Sequence, residues 1–344
     1  MSASEGVSGS ATPDQAWTAR APATVESRSA ARSPDFFIVG HPKSGTTALY
    51  EMLRGHSQIY MPESKEPWYF ATELHLRPPP RPGGIARTFE EYQSLFAAAQ
   101  PQQRIGEASP MYLWSATAAE RIAEVREDAR VIAILREPVS FLHSLHLQFV
   151  RTNVETETDF RRAIELEDSR REGRNISAHS YWPKALLYSE YVCYVEQLRR
   201  FETLFSPEQV LVLVYDDFRS DNEGVVRRVL RFLDVDDTAP IELVEANPTF
   251  GVRSRRLHQV VHAVSVGAGP ISAGAKRAIK TLVPGQLRRS ALHATQRRLL
   301  YGDPQPLDEA FMRELRARFR PHVAAVAEHL DRDLLALWGY DGEQ

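Results

Sequence analysis

Lys43 is the residue from which the chemistry of this chain is most readily read. It stands in Gly40-His41-Pro42-Lys43-Ser44-Gly45-Thr46-Thr47, a loop with two glycines, one lysine and three hydroxyls. The apolar run Phe36-Phe37-Ile38-Val39 leads into this loop, and a helical pattern, Ala48 to Gly55, follows it. The backbone N–H groups of such a loop face an anion together with the first turn of the next helix, and the helix dipole favours negative charge there. Lys43, Ser44, Gly45, Thr46 and Thr47 are therefore expected to hold a phosphate-like group. A second cation, Arg136, ends the apolar run Val131 to Leu135, and a pair of acids, Asp216-Asp217, ends Val210 to Tyr215. The chain has one cysteine, Cys193, set in an apolar helical pattern. That excludes an internal disulfide and a multi-cysteine metal site, and packing is expected of Cys193 rather than nucleophilic attack. No metal site is expected.

The elements that must position these groups follow from periodicity. Val131 to Leu135 and Val210 to Tyr215 are continuous apolar runs, as strands of a parallel sheet covered on both faces require. Shorter strands are expected at 58–61 and from Arg104. Helical spacing covers 88–99, 118–126, 139–151, 159–171, 186–205 and 225–233, and a closing helix is expected over 307–337, with Phe311, Leu315, Phe319, Val323 and Val326 sealing the core. Strands alternating with helices predict an α/β fold, a P-loop-like open, largely parallel sheet with helices on both faces. Ligands of such sheets bind off the carboxyl ends of the strands, which brings Lys43, Arg136 and Asp216 to one rim. Between Pro62 and Phe70 lies Glu63-Ser64-Lys65-Glu66-Pro67-Trp68-Tyr69, whose prolines and aromatics predict a fixed, partly buried loop.

At 344 residues, 43% hydrophobic and 25% charged, the composition is that of a soluble globular protein, and no apolar run is long enough for a membrane span. Residues 1–34 read as a disordered leader, and 35–344 as a single domain. The net charge of −3 conceals a segment, 246–302, with ten Lys and Arg residues and no Asp or Glu. A block of one sign marks a contact surface for anions, and this one is expected to serve as a cofactor lid, an acceptor surface or a membrane-surface contact. No nucleic-acid recognition motif accompanies it. A cytoplasmic location is expected.

Taken together, these residues resemble the sulfotransferases that depend on 3′-phosphoadenosine 5′-phosphosulfate (PAPS). The resemblance covers Phe36 to Leu233 and the closing helix to Trp338. Pro42-Lys43-Ser44-Gly45-Thr46-Thr47 is similar to that family's 5′-phosphosulfate loop, and Arg136 with Ser144 to its 3′-phosphate pair. The resemblance implies sulfuryl transfer from PAPS to a hydroxyl or amine, with adenosine 3′,5′-bisphosphate as product and catalysis by positioning and charge stabilisation. Lys65-Glu66-Pro67-Trp68-Tyr69-Phe70 looks like the loop of the heparan-sulfate-type, glycan-modifying branch. It implies Glu66 as the base and Lys65 as a further cation on the sulfate. Glu107 is the alternative carboxylate, and His41 a further candidate for sulfate contact. Arg253 and Arg255 fall where the family places a basic segment near the cofactor, although that branch's Lys-Gly-Arg signature and its cysteine pair are absent. The acceptor is a small molecule or glycan, and Trp68, Tyr69, Trp114, Tyr181 and Trp182 suit either stacking on it or the core.

Two other readings stand beside this one. In a P-loop nucleotide kinase or ATPase, lysine follows the second glycine directly, as in G-x-x-x-x-G-K-[ST]. Here Gly40 and Gly45 have that spacing but the lysine is inside the loop; Asp216-Asp217 would then hold magnesium. The other reading is a non-catalytic anion- or membrane-surface-binding protein that uses the basic segment.

Overall fold

The computed structural model describes residues 33–75, 86–180, 182–244, 251–252, 301–302 and 307–342. Its centre is a sheet of five parallel strands in the order β2-β3-β1-β4-β5. The strands are β1 (Phe36–Gly40), β2 (Ile59–Tyr60), β3 (Arg104–Ala108), β4 (Arg130–Leu135) and β5 (Val210–Val214). The register pairs Phe37 with Glu107 on one side of β1 and with Val131 on the other, so the loops after β1, β3, β4 and β5 leave from one rim.

Strand alternation decides which face each side chain covers. Phe36, Ile38, Ile132, Ile134, Leu211 and Leu213 bury against α1 (Thr46–Arg54) and α9 (Asn222–Phe232). Phe37, Val39, Val131, Ala133 and Leu135 bury on the opposite face. They pack against α3 (Ala118–Val125), α4 (Pro138–Arg151), α7 (Tyr194–Glu202) and α10 (Glu309–His329). Each fully buried large apolar side chain of these layers contributes about 1.5–3 kcal/mol relative to exposure. The short helices α2 (Phe89–Ser94), α5 (Phe160–Glu165), α6 (Glu167–Arg171), α8 (Tyr215–Ser220) and α11 (Leu334–Trp338) complete the described core. The pair β6 (Gly251–Val252) and β7 (Tyr301–Gly302) is antiparallel.

The expected parallel sheet with helices on both faces is what forms. Three long helical patterns are interrupted. Residues 186–205 make 3-10 turns at Pro183–Leu186 and Tyr188–Val192 before α7 begins. Their carbonyls are taken up by side chains: Gln197 Nε2 donates to Glu190 O (2.9 Å), and the Tyr191 hydroxyl to Ala185 O (3.2 Å). The pattern at 159–171 divides into α5 and α6, with Arg170 reaching back to the Ala163 carbonyl. The closing segment is α10 and α11 rather than one helix, because Asp333 caps α11 by accepting from the Ala336 N–H (3.0 Å). Phe311, Leu315, Phe319, Val323 and Val326 are buried, as their spacing predicts.

Candidate active site

The loop after β1 is pinned where it leaves the strand. His41 N–H donates to Ile134 O (2.8 Å), and Leu113 N–H to Val39 O (2.7 Å). A Cβ on Gly40 would lie 2.5 Å from Leu113 Cβ, and one on Gly45 would lie 2.9 Å from the Phe218 ring. Gly45 also has φ +84°, so both fit and conformation require glycine there. Lys43 has φ +63°, a left-handed conformation that costs a non-glycine residue free energy and that the surrounding bonds must hold. Gly45 is the N-cap of α1 and offers no side-chain acceptor, so the first-turn N–H groups lack the usual cap. The Ser44 hydroxyl is buried and has no hydrogen-bond partner. Open N–H groups and an orphaned buried hydroxyl together are what a bound oxyanion satisfies.

Arg136 leaves β4 and locks onto the same loop. Its guanidinium donates to Lys43 O (2.7 Å) and to Ser140 Oγ (3.2 Å) and lies 4.7 Å over the Tyr215 ring. The Tyr194 hydroxyl donates to the Arg136 carbonyl (2.7 Å). The neighbouring Glu137 carboxylate accepts from the Val139 and Ser140 N–H groups, and from the Tyr340 hydroxyl (2.7 Å). Ser144 is buried two turns further along α4.

Burial lowers Lys43 to about 8, helped by the like charges of Arg151, Arg136 and Lys65 and opposed by Glu66. Sequence reasoning missed Arg151, in the last turn of α4. A signal was present, since Ser144 and Arg151 stand at i and i+7 on one helix face. The cost of gathering four cations is recovered when an anion arrives among them.

The loop carrying Glu66 reaches the same place from the other side of β1. Lys65 Nζ donates to Thr47 Oγ1 (3.2 Å) and pairs with Glu66 Oε1 (2.9 Å), which ties the loop to the first turn of α1. The Tyr50 hydroxyl, further along α1, donates to the Pro62 carbonyl. The N–H groups of Glu66, Trp68 and Phe70 donate to Ala108 O (3.1 Å), Ser109 Oγ (3.2 Å) and Tyr112 Oη (3.3 Å). Glu66 (φ +62°) and Trp68 (φ +51°) are both left-handed. The structure thus brings Lys43, Lys65, Glu66, Thr47, Arg136 and Arg151 into one electrostatic neighbourhood.

Several expectations are corrected. His41 does not face this neighbourhood: it is wholly buried, its Nε2 bonds Gln197 Oε1 (2.7 Å), and it packs against Phe141 and Tyr194. Burial lowers it to about 3. Glu107 is also wholly buried and receives the Tyr92 and Tyr112 hydroxyls, so it cannot meet an acceptor. Asp216 accepts from Trp338 Nε1 (3.0 Å), and Asp217 from Arg332 (2.6 Å), so both acids clasp the C-terminal helices. Trp114 and Trp182 are core residues, Trp114 stacking on Tyr191 at 5.5 Å, whereas Trp68 and Tyr69 are only partly buried. Cys193 is half-buried at the N-cap of α7, and burial raises its thiol pKa. Arg253, Arg255 and Tyr181 lie outside the described residues, as do residues 1–32 and nearly all of the basic segment.

The sulfotransferase domain family matches residues 33–251, well over half of the chain. The chain belongs to the sulfotransferase family. Its sequence is 28% identical to carbohydrate sulfotransferase 15 of Mus musculus over 59% of this chain and 44% of that protein. It is 38% identical to the membrane-associated sulfotransferase kil1 of Dictyostelium discoideum over 31% of this chain and 21% of that one. The chain therefore spans less than half the length of these curated relatives. The crystal structure of a sulfotransferase from Alicyclobacillus acidocaldarius shares the fold, with a TM-score of 0.64 and 24% identity over 89% of this chain and 99% of that one.

Proposed function

We propose that this sulfotransferase moves a sulfuryl group from PAPS to a hydroxyl or amine of a small-molecule or glycan acceptor, with Glu66 as base. The observation that carries this reading is the meeting of Lys43, Lys65, Arg136 and Arg151 over the uncapped start of α1, with Glu66 bonded into the same cluster. The residues present fit a donor with two anionic ends. Ser44, Gly45, Thr46 and Thr47 with the α1 N–H groups would hold the 5′ end, and Arg136 with Ser144 the 3′-phosphate. Bound PAPS supplies the sulfuryl group and leaves as adenosine 3′,5′-bisphosphate.

What the chain contributes follows from charge and reach. Lys43 offers positive charge where the leaving phosphate oxygen gains electrons, and Lys65 offers it to the sulfuryl oxygens. Glu66 accepts the proton released when the acceptor oxygen or nitrogen bonds to sulfur. Its left-handed turn is held by its own N–H on Ala108 O and by the Trp68 and Phe70 N–H groups of the same loop, so its carboxylate does not have to be ordered at the moment of reaction. The reading assigns no task to a metal, since Asp216 and Asp217 are occupied by Trp338 and Arg332.

The relatives' names support a carbohydrate acceptor, and the partly buried Trp68 and Tyr69 beside Glu66 suit a sugar face. A cytoplasmic location is part of the proposal and is supported by the single cysteine. Among the described residues no helix is long and apolar enough to cross a membrane. Incubation with sulfur-labelled PAPS and a panel of glycans, lipids and phenols tests the proposal. Label on a glycan, lost in Glu66→Gln, is expected; no transfer to any member, or unchanged transfer by the variant, counts against it.

A further inference from the structure

Glu107 has no part in the chemistry above, yet it sits directly behind the loop that carries Glu66. It is wholly buried near the end of β3. Its Oε2 accepts two hydrogen bonds, from the Tyr92 hydroxyl (2.8 Å) and the Tyr112 hydroxyl (3.1 Å). Its Oε1 has no partner within hydrogen-bond geometry. Burying a carboxyl this way costs free energy, and the tyrosine hydroxyls offset only part of it.

Both phenols grip the loop. Tyr112 Oη accepts from the Phe70 N–H (3.3 Å) while it donates to Glu107. Tyr92 stacks on Tyr69 at 4.7 Å and meets the edge of Phe70 at 5.1 Å. Ser109, two residues after Glu107, accepts from the Trp68 N–H (3.2 Å). Glu66 itself hangs from Ala108, the next residue of β3. Residues 66–70 are therefore fastened at alternate N–H groups to the strand end and the turn that Glu107 organises. These fastenings hold two non-glycine residues in the left-handed region.

We propose that Glu107 is a positioning residue for the proposed base: with Tyr92 and Tyr112 it forms a buried carboxyl–phenol anchor that fixes residues 66–70. The inference rests on Glu66 being the base. The titratable groups facing Glu107 are Tyr92 from α2, Tyr112 from the turn after β3 and Glu66 from the loop. Burial pushes Glu107 up to about 7, with the Ser109, Tyr92 and Tyr112 hydroxyls opposing the shift and Glu66 adding to it. Glu107 is accordingly neutral in acid and becomes a buried anion facing Glu66 as the pH passes neutrality.

The test uses the full chain and two variants that keep the core filled. Glu107→Leu fills the space but removes the oxygen to which both tyrosine hydroxyls donate. Tyr112→Phe keeps the ring and removes the acceptor of the Phe70 N–H. NMR of the full chain follows hydrogen exchange at the Glu66, Trp68 and Phe70 N–H groups that fasten the loop. Glu107→Leu is expected to speed exchange at these three N–H groups roughly tenfold, while the amides of β1 and β4 keep wild-type rates. Tyr112→Phe is expected to lower kcat roughly tenfold, with KM for PAPS within about twofold of wild type. Unchanged exchange at these N–H groups in Glu107→Leu, or an unchanged kcat in Tyr112→Phe, would overturn the anchor. The NMR result does not depend on turnover, so it stands apart from a failure of the sulfuryl-transfer reading, which appears as loss of adenosine 3′,5′-bisphosphate binding by the wild type.

Discussion

The two halves of the proposed site are built differently. The anion half uses backbone at strand-to-helix junctions: the loop after β1, the end of β4 and the ring of Tyr215 after β5. It is locked from behind by the C-terminus, through Tyr340 on Glu137, Trp338 on Asp216 and Arg332 on Asp217. The base half has no regular element. Residues 62–70 hang from the end of β3 by three backbone N–H groups and lean on buried tyrosines. Oxyanion binding needs fixed N–H groups and fixed charge, which strand ends supply. A base needs one carboxylate held at one angle, which side-chain anchors can supply without a helix or strand.

Variants that act on one half alone sharpen this contrast. The largest effect is expected from Glu66→Gln, a loss of about 10²- to 10⁴-fold in kcat with affinity for adenosine 3′,5′-bisphosphate retained, measured by labelled transfer and calorimetry. Equal losses in both quantities would break the division. Next comes stability against pH. Because folded Glu107 titrates at about 7, above its ordinary 4.5, the folded state holds a proton that the unfolded chain releases. Stability is fully present below about pH 4.5 and falls by ~3 kcal/mol as the pH rises to about 7. Denaturant unfolding should show that slope in the wild type and not in Glu107→Gln.

Arg136→Lys replaces a fork that bonds Lys43 O and stacks on Tyr215 with a point charge. Affinity for adenosine 3′,5′-bisphosphate should weaken roughly 10- to 100-fold. Tyr340→Phe removes one bond to a carboxylate that also caps α4, and about 1–2 kcal/mol of stability should go with it in denaturant unfolding. A change of that size in donor affinity as well would show that the C-terminal lock reaches the anion half.

The anion half was largely readable from the amino-acid sequence, and the base half only in outline. Lys43 to Thr47 are contiguous, and the apolar runs that carry Arg136 and Lys43 have the continuous character of covered parallel strands. Arg151 escaped because its proximity to Lys43 is a product of how α4 lies along the sheet, and the helix period alone only hints at it. The anchor behind Glu66 escaped for a similar reason: Tyr92, Glu107 and Tyr112 come from three elements, and each alone looks like ordinary core. Glu107 was read as an alternative base because chemical type is visible in a sequence and burial is not. The same gap placed His41 near the sulfate, while its ring turns inward to Gln197. Residues 186–193 imitate a helix because Tyr188, Tyr191 and Tyr194 recur at a spacing that 3-10 turns also satisfy.

Calorimetric titration with adenosine 3′,5′-bisphosphate, and separately with ATP and Mg²⁺, tests the central claim most directly. The account predicts binding of the bisphosphate without metal. Because Lys43 loses its proton at about 8, that affinity should weaken as the pH rises through 8, and the dependence should vanish in Lys43→Met. Binding of ATP only with Mg²⁺, and none of the bisphosphate, would contradict it.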